Sequence, residues 1–174
     1  MSNFHEDGII ILDFGSQYTQ LIARRIREKH VYSEIMSPDV SIEVIQERSP
    51  KAIILSGGPS SVYEDSSPKY DSKLFALDIP ILGICYGLQL MAHHYNGQVK
   101  SSSHGEYGFA LINIMNSEHL FQSVSGNTQV WMSHMDRVTQ MPPGWEIMAE
   151  SSNGVVAAMG HVESKRFATQ FHPE

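Results

Sequence analysis

Apolar residues in the first half of the chain fall into short unbroken runs, separated by stretches in which they recur at helical spacing. Residues 8–13 (GIIILD) are continuous, β-branched and apolar, the pattern of a strand buried on both faces of a parallel sheet. Between residues 17 and 29, Tyr18, Leu21, Ile22 and Ile26 line one side of a helical wheel, with Arg24, Arg25 and Arg27 elsewhere on it. Residues 31–36 and 52–55 read as the next two strands, with a short helix over 41–47 between them. A helix over 69–77, a strand over 79–84 and a helix over 86–95 that closes near Gly97 continue the alternation. Such units build a parallel sheet covered by helices, with right-handed crossovers.

Beyond Gly97 the pattern changes. Residues 98–100, 109–115, 130–132, 145–149, 155–159 and 167–171 are short strand-like runs broken by Gly, Asn, Pro or charged turns. Asn153-Gly154 suits a tight bend, and 160–165 forms a polar turn before the last strand. The expected fold is α/β: an open, mostly parallel sheet flanked by helices, with a strand-rich second half.

Composition narrows the setting. A chain of 174 residues suits one domain with one core, and no internal repeat or linker divides it. The single cysteine excludes an internal disulfide. The opening MSNFHEDG has neither a basic nor an apolar leader region, and no apolar run approaches the roughly twenty residues that span a bilayer, so a cytoplasmic protein is expected. A net charge of −7 argues against a nucleic-acid partner, and Arg24, Arg25, Arg27 and Lys29 read as a solvated helix face.

Candidate chemistry centres on residues 79–90, IPILGICYGLQL. An apolar strand ends at Gly83, Cys85 follows, and Gly87 precedes a helix, which is the shape of a nucleophile elbow with small neighbours at its tip. There the helix dipole favours a thiolate. Without the flanking glycines, a lone cysteine in an apolar segment would read as a buried small hydrophobe. The second signal is the ending QFHPE. Pro173 biases His172 towards an extended conformation, so His172 and Glu174 share a face. A histidine beside a thiol can take its proton and later protonate a leaving amine, while a carboxylate on the other ring nitrogen fixes the tautomer. Alone, the same ending would read equally well as a solvated tail.

Gly57 and Gly58 follow the third strand, at the sheet edge where ligands of open α/β sheets collect, and can present unobstructed backbone N–H groups to an oxyanion. The Tyr86 amide would be the second donor. A plain surface turn accounts for Gly-Gly-Pro equally well by itself. Ser56–Ser61 (SGGPSS) is a poor match to the phosphate loop of ATP pyrophosphatases, because Pro59 removes a donor and Ser60 stands where that loop has Asp. There is no Walker loop, dinucleotide fingerprint or paired-cysteine metal site, and His93, His94 and His104 beside Glu106 read as surface or packing histidines.

The segments FGSQYTQLIARRIRE (14–28), ILSGGPSSVYE (54–64), GICYGLQLMA (83–92), VWMSHMD (130–136) and QFHPE closely resemble the triad-type, class I glutamine amidotransferase domain of the GMP synthase family, across essentially the whole chain. The resemblance implies a flavodoxin-like sheet and a Cys85, His172, Glu174 triad that hydrolyses glutamine through a γ-glutamyl thioester. It implies an oxyanion hole from the Gly58 and Tyr86 amides, and glutamine contacts from Gly57, Gln89, Ser133, His134 and Asp136. It also implies a partner synthetase domain or subunit, which uses ATP and Mg2+ to aminate XMP to GMP, and no cofactor in this domain. Two departures stand out. Met135 replaces the glycine of the family's Ser-His-Gly-Asp loop, and the family's sequence continues past His-Pro-Glu into synthetase and dimerisation domains, so residues 1–174 correspond to a shortened amidotransferase domain. An elbow-cysteine peptidase or deglycase, and a non-catalytic interaction module, are the competing readings.

Overall fold

A computed structural model describes residues 7–124 and 126–174; most of the stretch read for a leader lies outside the described residues. Among the described residues, nine strands form one sheet in the order β2-β1-β3-β4-β9-β8-β7-β5-β6. The parallel half comprises β1 (Ile9–Leu12), β2 (Ser33–Met36), β3 (Ala52–Leu55), β4 (Ile81–Ile84) and the last strand, β9 (Arg166–Thr169). The antiparallel half comprises β5 (Gln98–Ile114), β6 (Asn127–Gln140), β7 (Glu146–Ser151) and β8 (Val156–His161), joined to β9 through β8. The described residues also form three α-helices, α1 (Thr19–Glu28), α2 (Ile42–Arg48) and α3 (Tyr86–His94). Among the described residues, no helix is long and apolar enough to cross a membrane.

Strands β1, β3 and β4 are covered on both faces, which is why they are apolar without alternation. Ile10, Leu12, Ile53, Leu55 and Ile81 point into a core shared with α2 and α3, while Ile11, Ile54 and Ile84 pack with Ile22 and Ala23 of α1 on the opposite face. The arginines of α1 stay at the surface, where Glu28 bridges Arg24 and Arg25, each at 3.0 Å. Ser41 caps α2 by accepting from the Val44 amide. Ile112, Met132, Met148 and Ala157 of the antiparallel half form a separate cluster with Phe171, while Val99, Val138, Val156 and Met159 join the main core.

Besides β6, which runs over Asn127–Gln140 where a strand was expected only at 130–132, the structure differs from the sequence expectations in three places. The segment expected as a helix over 69–77 makes only a 3₁₀-helix at Ser72–Ala76, because Asp71 caps it late and Leu77 returns to extended backbone before Pro80. The two runs expected at 98–100 and 109–115 are one strand, β5, interrupted rather than ended by the polar residues between them. Strand β9 stops at Thr169, and His172 is held instead by a lone bridge to Trp131 of β6.

Two tight features set the sheet edge that matters for chemistry. A Cβ on Gly87 would lie 2.6 Å from the Leu55 carbonyl oxygen, and one on Gly83 would lie 2.6 Å from the Gly87 backbone, so α3 can start flush against β4 only with glycine at both positions. Arg166 is buried with no carboxylate partner among the described residues; its guanidinium donates to the carbonyls of Phe75, Leu77, Ile79 and Ser164 at 2.6–3.1 Å, tying the 3₁₀ segment to β9. Gly87→Ala is expected to cost about 1–3 kcal/mol through overpacking. Arg166→Met, which keeps the bulk but leaves those acceptors unpaired, is expected to cost about 2 kcal/mol or more. Urea denaturation measures both, and an unchanged midpoint would count against the packing argument.

Candidate active site

A cleft of about 480 Å³ opens where β1, β3, β4 and β9 end. These are the carboxyl ends of parallel strands, the edge at which ligand sites of α/β sheets form. Gly15–Tyr18 follow β1, Gly58–Ser61 follow β3, Cys85 follows β4 and His172 follows β9, while Ser133–Asp136 of β6 form the facing wall.

Cys85 occupies the turn between β4 and α3 with φ +53° and ψ −103°, a conformation that side-chain-bearing residues rarely adopt. Its amide donates to the Thr169 carbonyl at 2.7 Å, continuing the β4–β9 ladder. The sulfur, though largely buried, lines the cleft and has the Ser133 carbonyl and the Gln170 amide nitrogen each at 3.7 Å.

His172 is placed from two sides. Its amide donates to the Trp131 carbonyl at 2.9 Å, and its Nδ1 meets Glu174 Oε1 at 2.9 Å, with only 8 % and 4 % of the two side chains exposed. The Tyr18 ring packs edge-on against the imidazole, with centroids 5.1 Å apart. Burial alone would lower the imidazole pKa. Hydrogen bonding and charge from Cys85 and Glu174 outweigh it and carry the value from 6.5 up to about 9. With Glu174 on Nδ1, the other ring nitrogen is left for the sulfur.

The glycine loop lies against this pair. A Cβ on Gly57 would come within 3.2 Å of His172 Cε1 and 3.5 Å of Cys85 Cβ, and one on Gly58 would strike the Phe14 carbonyl oxygen at 2.3 Å. Gly58 lines the cleft; Tyr86, the first residue of α3, is buried with its ring against Phe14. Gln89 reaches from α3 to the far wall, donating to the Asp136 carbonyl at 2.9 Å and to Gln170 Oε1 at 3.4 Å. The Asp136 carboxylate accepts from Ser61 at 2.6 Å. His134 turns both ring nitrogens into the wall, one to the Asp136 carbonyl at 2.9 Å and one to Glu106 at 3.0 Å. Every residue singled out in the sequence is thus within one compact region, although Gly57, Tyr86 and Glu174 stand behind the cleft surface.

The class-I glutamine amidotransferase family profile matches residues 10–174. The chain belongs to this family. Among curated relatives, the amidotransferase is 53 % identical over 168 residues to a glutamine-hydrolysing GMP synthase of Brachyspira hyodysenteriae, covering 97 % of this chain and 33 % of that protein. It is 52 % identical over 166 residues to the corresponding Campylobacter lari protein, covering 95 % of this chain and 32 % of the relative. The chain therefore spans about a third of the length of these relatives. A solved protein of Thermoplasma acidophilum, named for one of the GMP synthase subunits, superposes with a TM-score of 0.86 at 29 % identity, covering 97 % of this chain and 85 % of that one.

Sequence reasoning missed Gln170, Glu106 and Tyr18 of this amidotransferase. Gln170 was accessible by the same alternation that pairs His172 with Glu174. Glu106 was not, because its pairing with His134 follows a register shift after Ser101 that no local pattern announces. His93 packs against Tyr63, and His94, its pKa lowered by burial, packs against Phe75.

Backbone strain at Cys85 gives a test free of any assay for chemistry. Residues held in sparsely populated φ/ψ regions cost on the order of 1–3 kcal/mol, and glycine relieves that cost. Cys85→Gly is expected to be more stable than Cys85→Ala by about 1 kcal/mol, the reverse of their order inside a helix. Equal melting curves would contradict a strained elbow.

Proposed function

We propose that this chain hydrolyses L-glutamine to glutamate and ammonia, with Cys85, His172 and Glu174 as its catalytic triad. The observation that supports this reading most is the seating of His172 between the Cys85 thiol and the buried Glu174 carboxylate, at the mouth of a cleft bordered by the glycine loop. Membership in the amidotransferase family favours it over the peptidase, deglycase and inert-module readings.

In this mechanism the thiolate attacks the side-chain carboxamide carbon of glutamine, and the carbonyl π pair moves onto oxygen. The backbone amides of Gly58 and Tyr86 stabilise that oxyanion. The His172 imidazolium gives its proton to the amide nitrogen, the C–N bond breaks and ammonia leaves, with the acyl group held as a thioester. Now neutral, His172 takes a proton from water as it attacks the thioester. The C–S bond then breaks, releasing glutamate and regenerating the thiolate–imidazolium pair. Glu174 holds the imidazole orientation throughout. Gln89, Gly57 and the 133–136 segment, including Ser133, His134 and Asp136, grip the α-amino and α-carboxyl end of the substrate.

The ammonia passes to a synthetase domain or subunit that uses ATP and Mg2+ to aminate XMP to GMP; this reading is supported by the names of the long relatives and by the third of their length that this chain spans. The amidotransferase part itself needs no cofactor, operates in the cytoplasm, and calls for neither a nucleic-acid nor a membrane partner.

Ammonia release from glutamine, measured for the chain alone and with a synthetase partner, tests the proposal. Cys85→Ala should abolish it while leaving the fold intact; turnover near wild type would overturn the nucleophile assignment. The pH profile carries a sign as well. The active form needs the imidazolium, whose pKa is raised to about 9, so kcat/KM should hold through neutrality and fall as pH rises through 9. Glu174 is one of the groups that raises this value, so Glu174→Gln should move the alkaline limb to lower pH, together with a loss of turnover. An unmoved limb would remove Glu174 from the triad.

A further inference from the structure

The facing wall of the cleft is built where the sheet is least regular. Strand β5 pairs with β6 at Ser101↔Asp136 and again at Glu106↔His134, so β5 spends five steps where β6 spends two, and the ladder is lost between them. Ser133–Asp136, the segment that faces the Cys85 sulfur, therefore lacks the continuous backbone pairing that fixes an ordinary strand. Side chains take over that task. Glu106 lies at the point where pairing resumes, with 9 % of its side chain exposed, beside a His134 side chain only 3 % exposed.

Each oxygen of the Glu106 carboxylate is engaged. Oε1 accepts from Ser151 Oγ and Asn153 Nδ2, both at 2.8 Å, which ties it to the β7–β8 turn. Oε2 lies 3.0 Å from His134 Nε2. On the other side of the ring, Nδ1 lies 2.9 Å from the Asp136 carbonyl, which can only accept, so Nδ1 carries a proton. The same carbonyl takes the Gln89 amide at 2.9 Å, and Gln89 in turn bonds Gln170, whose amide reaches the sulfur. One relay therefore connects the β7–β8 turn to the nucleophile.

We infer that Glu106 is a positioning residue for the glutamine-gripping wall: through His134 it fixes the Asp136 carbonyl, and with it Gln89, across the cleft from Cys85. This inference rests on the glutamine-hydrolysis reading, and it deepens that reading by naming what holds the substrate-binding segment where the β-ladder fails. Removing the carboxylate frees the His134 ring, lets residues 133–136 drift, and weakens substrate binding more than it changes the thiol. A glutamine at position 106 can take over. Its oxygen accepts from Ser151 and Asn153, and its NH2 donates to Nε2 of a neutral His134 that still donates from Nδ1.

The test is a steady-state glutaminase assay on wild type, Glu106→Ala and Glu106→Gln, alongside the rate at which iodoacetamide alkylates Cys85 and the melting curve of each variant. Glu106→Ala should raise KM for glutamine about tenfold or more, with a smaller change in kcat and an alkylation rate within about twofold of wild type. Glu106→Gln should recover most of the lost affinity. A folded Glu106→Ala with unchanged KM would overturn the inference, as would a fall in alkylation that matches the fall in turnover, or a Glu106→Gln no better than alanine. If the alanine variant does not fold, Glu106→Asp, which keeps the charge but withdraws it from His134, should still raise KM about threefold or more; an unchanged KM there would also overturn it. A wild type inert towards glutamine sinks both readings, whereas an active wild type with an indifferent Glu106 sinks only this one.

Discussion

The pairing of β4 with β9 is the constraint on which the site depends. These strands lie far apart in sequence, yet their parallel register places Ile84 opposite Thr169, and the next amide, that of Cys85, donates to the Thr169 carbonyl. From that bond onward both chains leave the sheet at the same edge. One turns sharply into α3, and the other runs on through Gln170 to His172. The thiol and the imidazole meet because two strands end together. The buried arginine of β9 serves the same end, anchoring the strand to the segment before β4 through backbone carbonyls rather than through a charge.

The remainder of the site is an edge folded back on itself. In sheet order β6 lies farthest from β4, but its middle returns to the elbow: Trp131 bridges His172, Ser133 faces the sulfur, and Asp136 receives Gln89. The reactive centre therefore stands between a rigid half, where both sheet faces are covered, and a ribbon in which pairing is interrupted. The strained turn at Cys85 lies in the parallel half, where packing on β3 and β4 can hold it. In the ribbon, side chains such as Glu106 and His134 bridge what the ladder does not.

This division also explains what could be read from the sequence. Strands β1 and β3 were legible because burial on both faces leaves no polar position to confuse the pattern in residues 9–12 and 52–55. The elbow and the His-Pro-Glu ending were legible because small residues and proline act on backbone geometry directly. The 3₁₀ segment was misread as a longer helix because Tyr70, Leu74 and Leu77 recur at helical spacing, although capping and proline leave room for little more than a turn. The ribbon was misread as separate short strands because its outward positions are polar over Ser101–Glu106 and apolar beyond, at Tyr107, Phe109 and Leu111, so alternation fails as a guide. Glu106 was invisible for the same reason: its partner is set by an irregular register that no local pattern encodes.

The interrupted ribbon bears on how the molecule responds to warming. An edge strand that pairs with a single neighbour, and loses even that pairing opposite the bulge, has little to hold it once the side chains bridging it loosen. The thiol would stay on its rigid turn while the opposite side of the cleft slackened, so catalysis would fade at temperatures where the parallel half still stands.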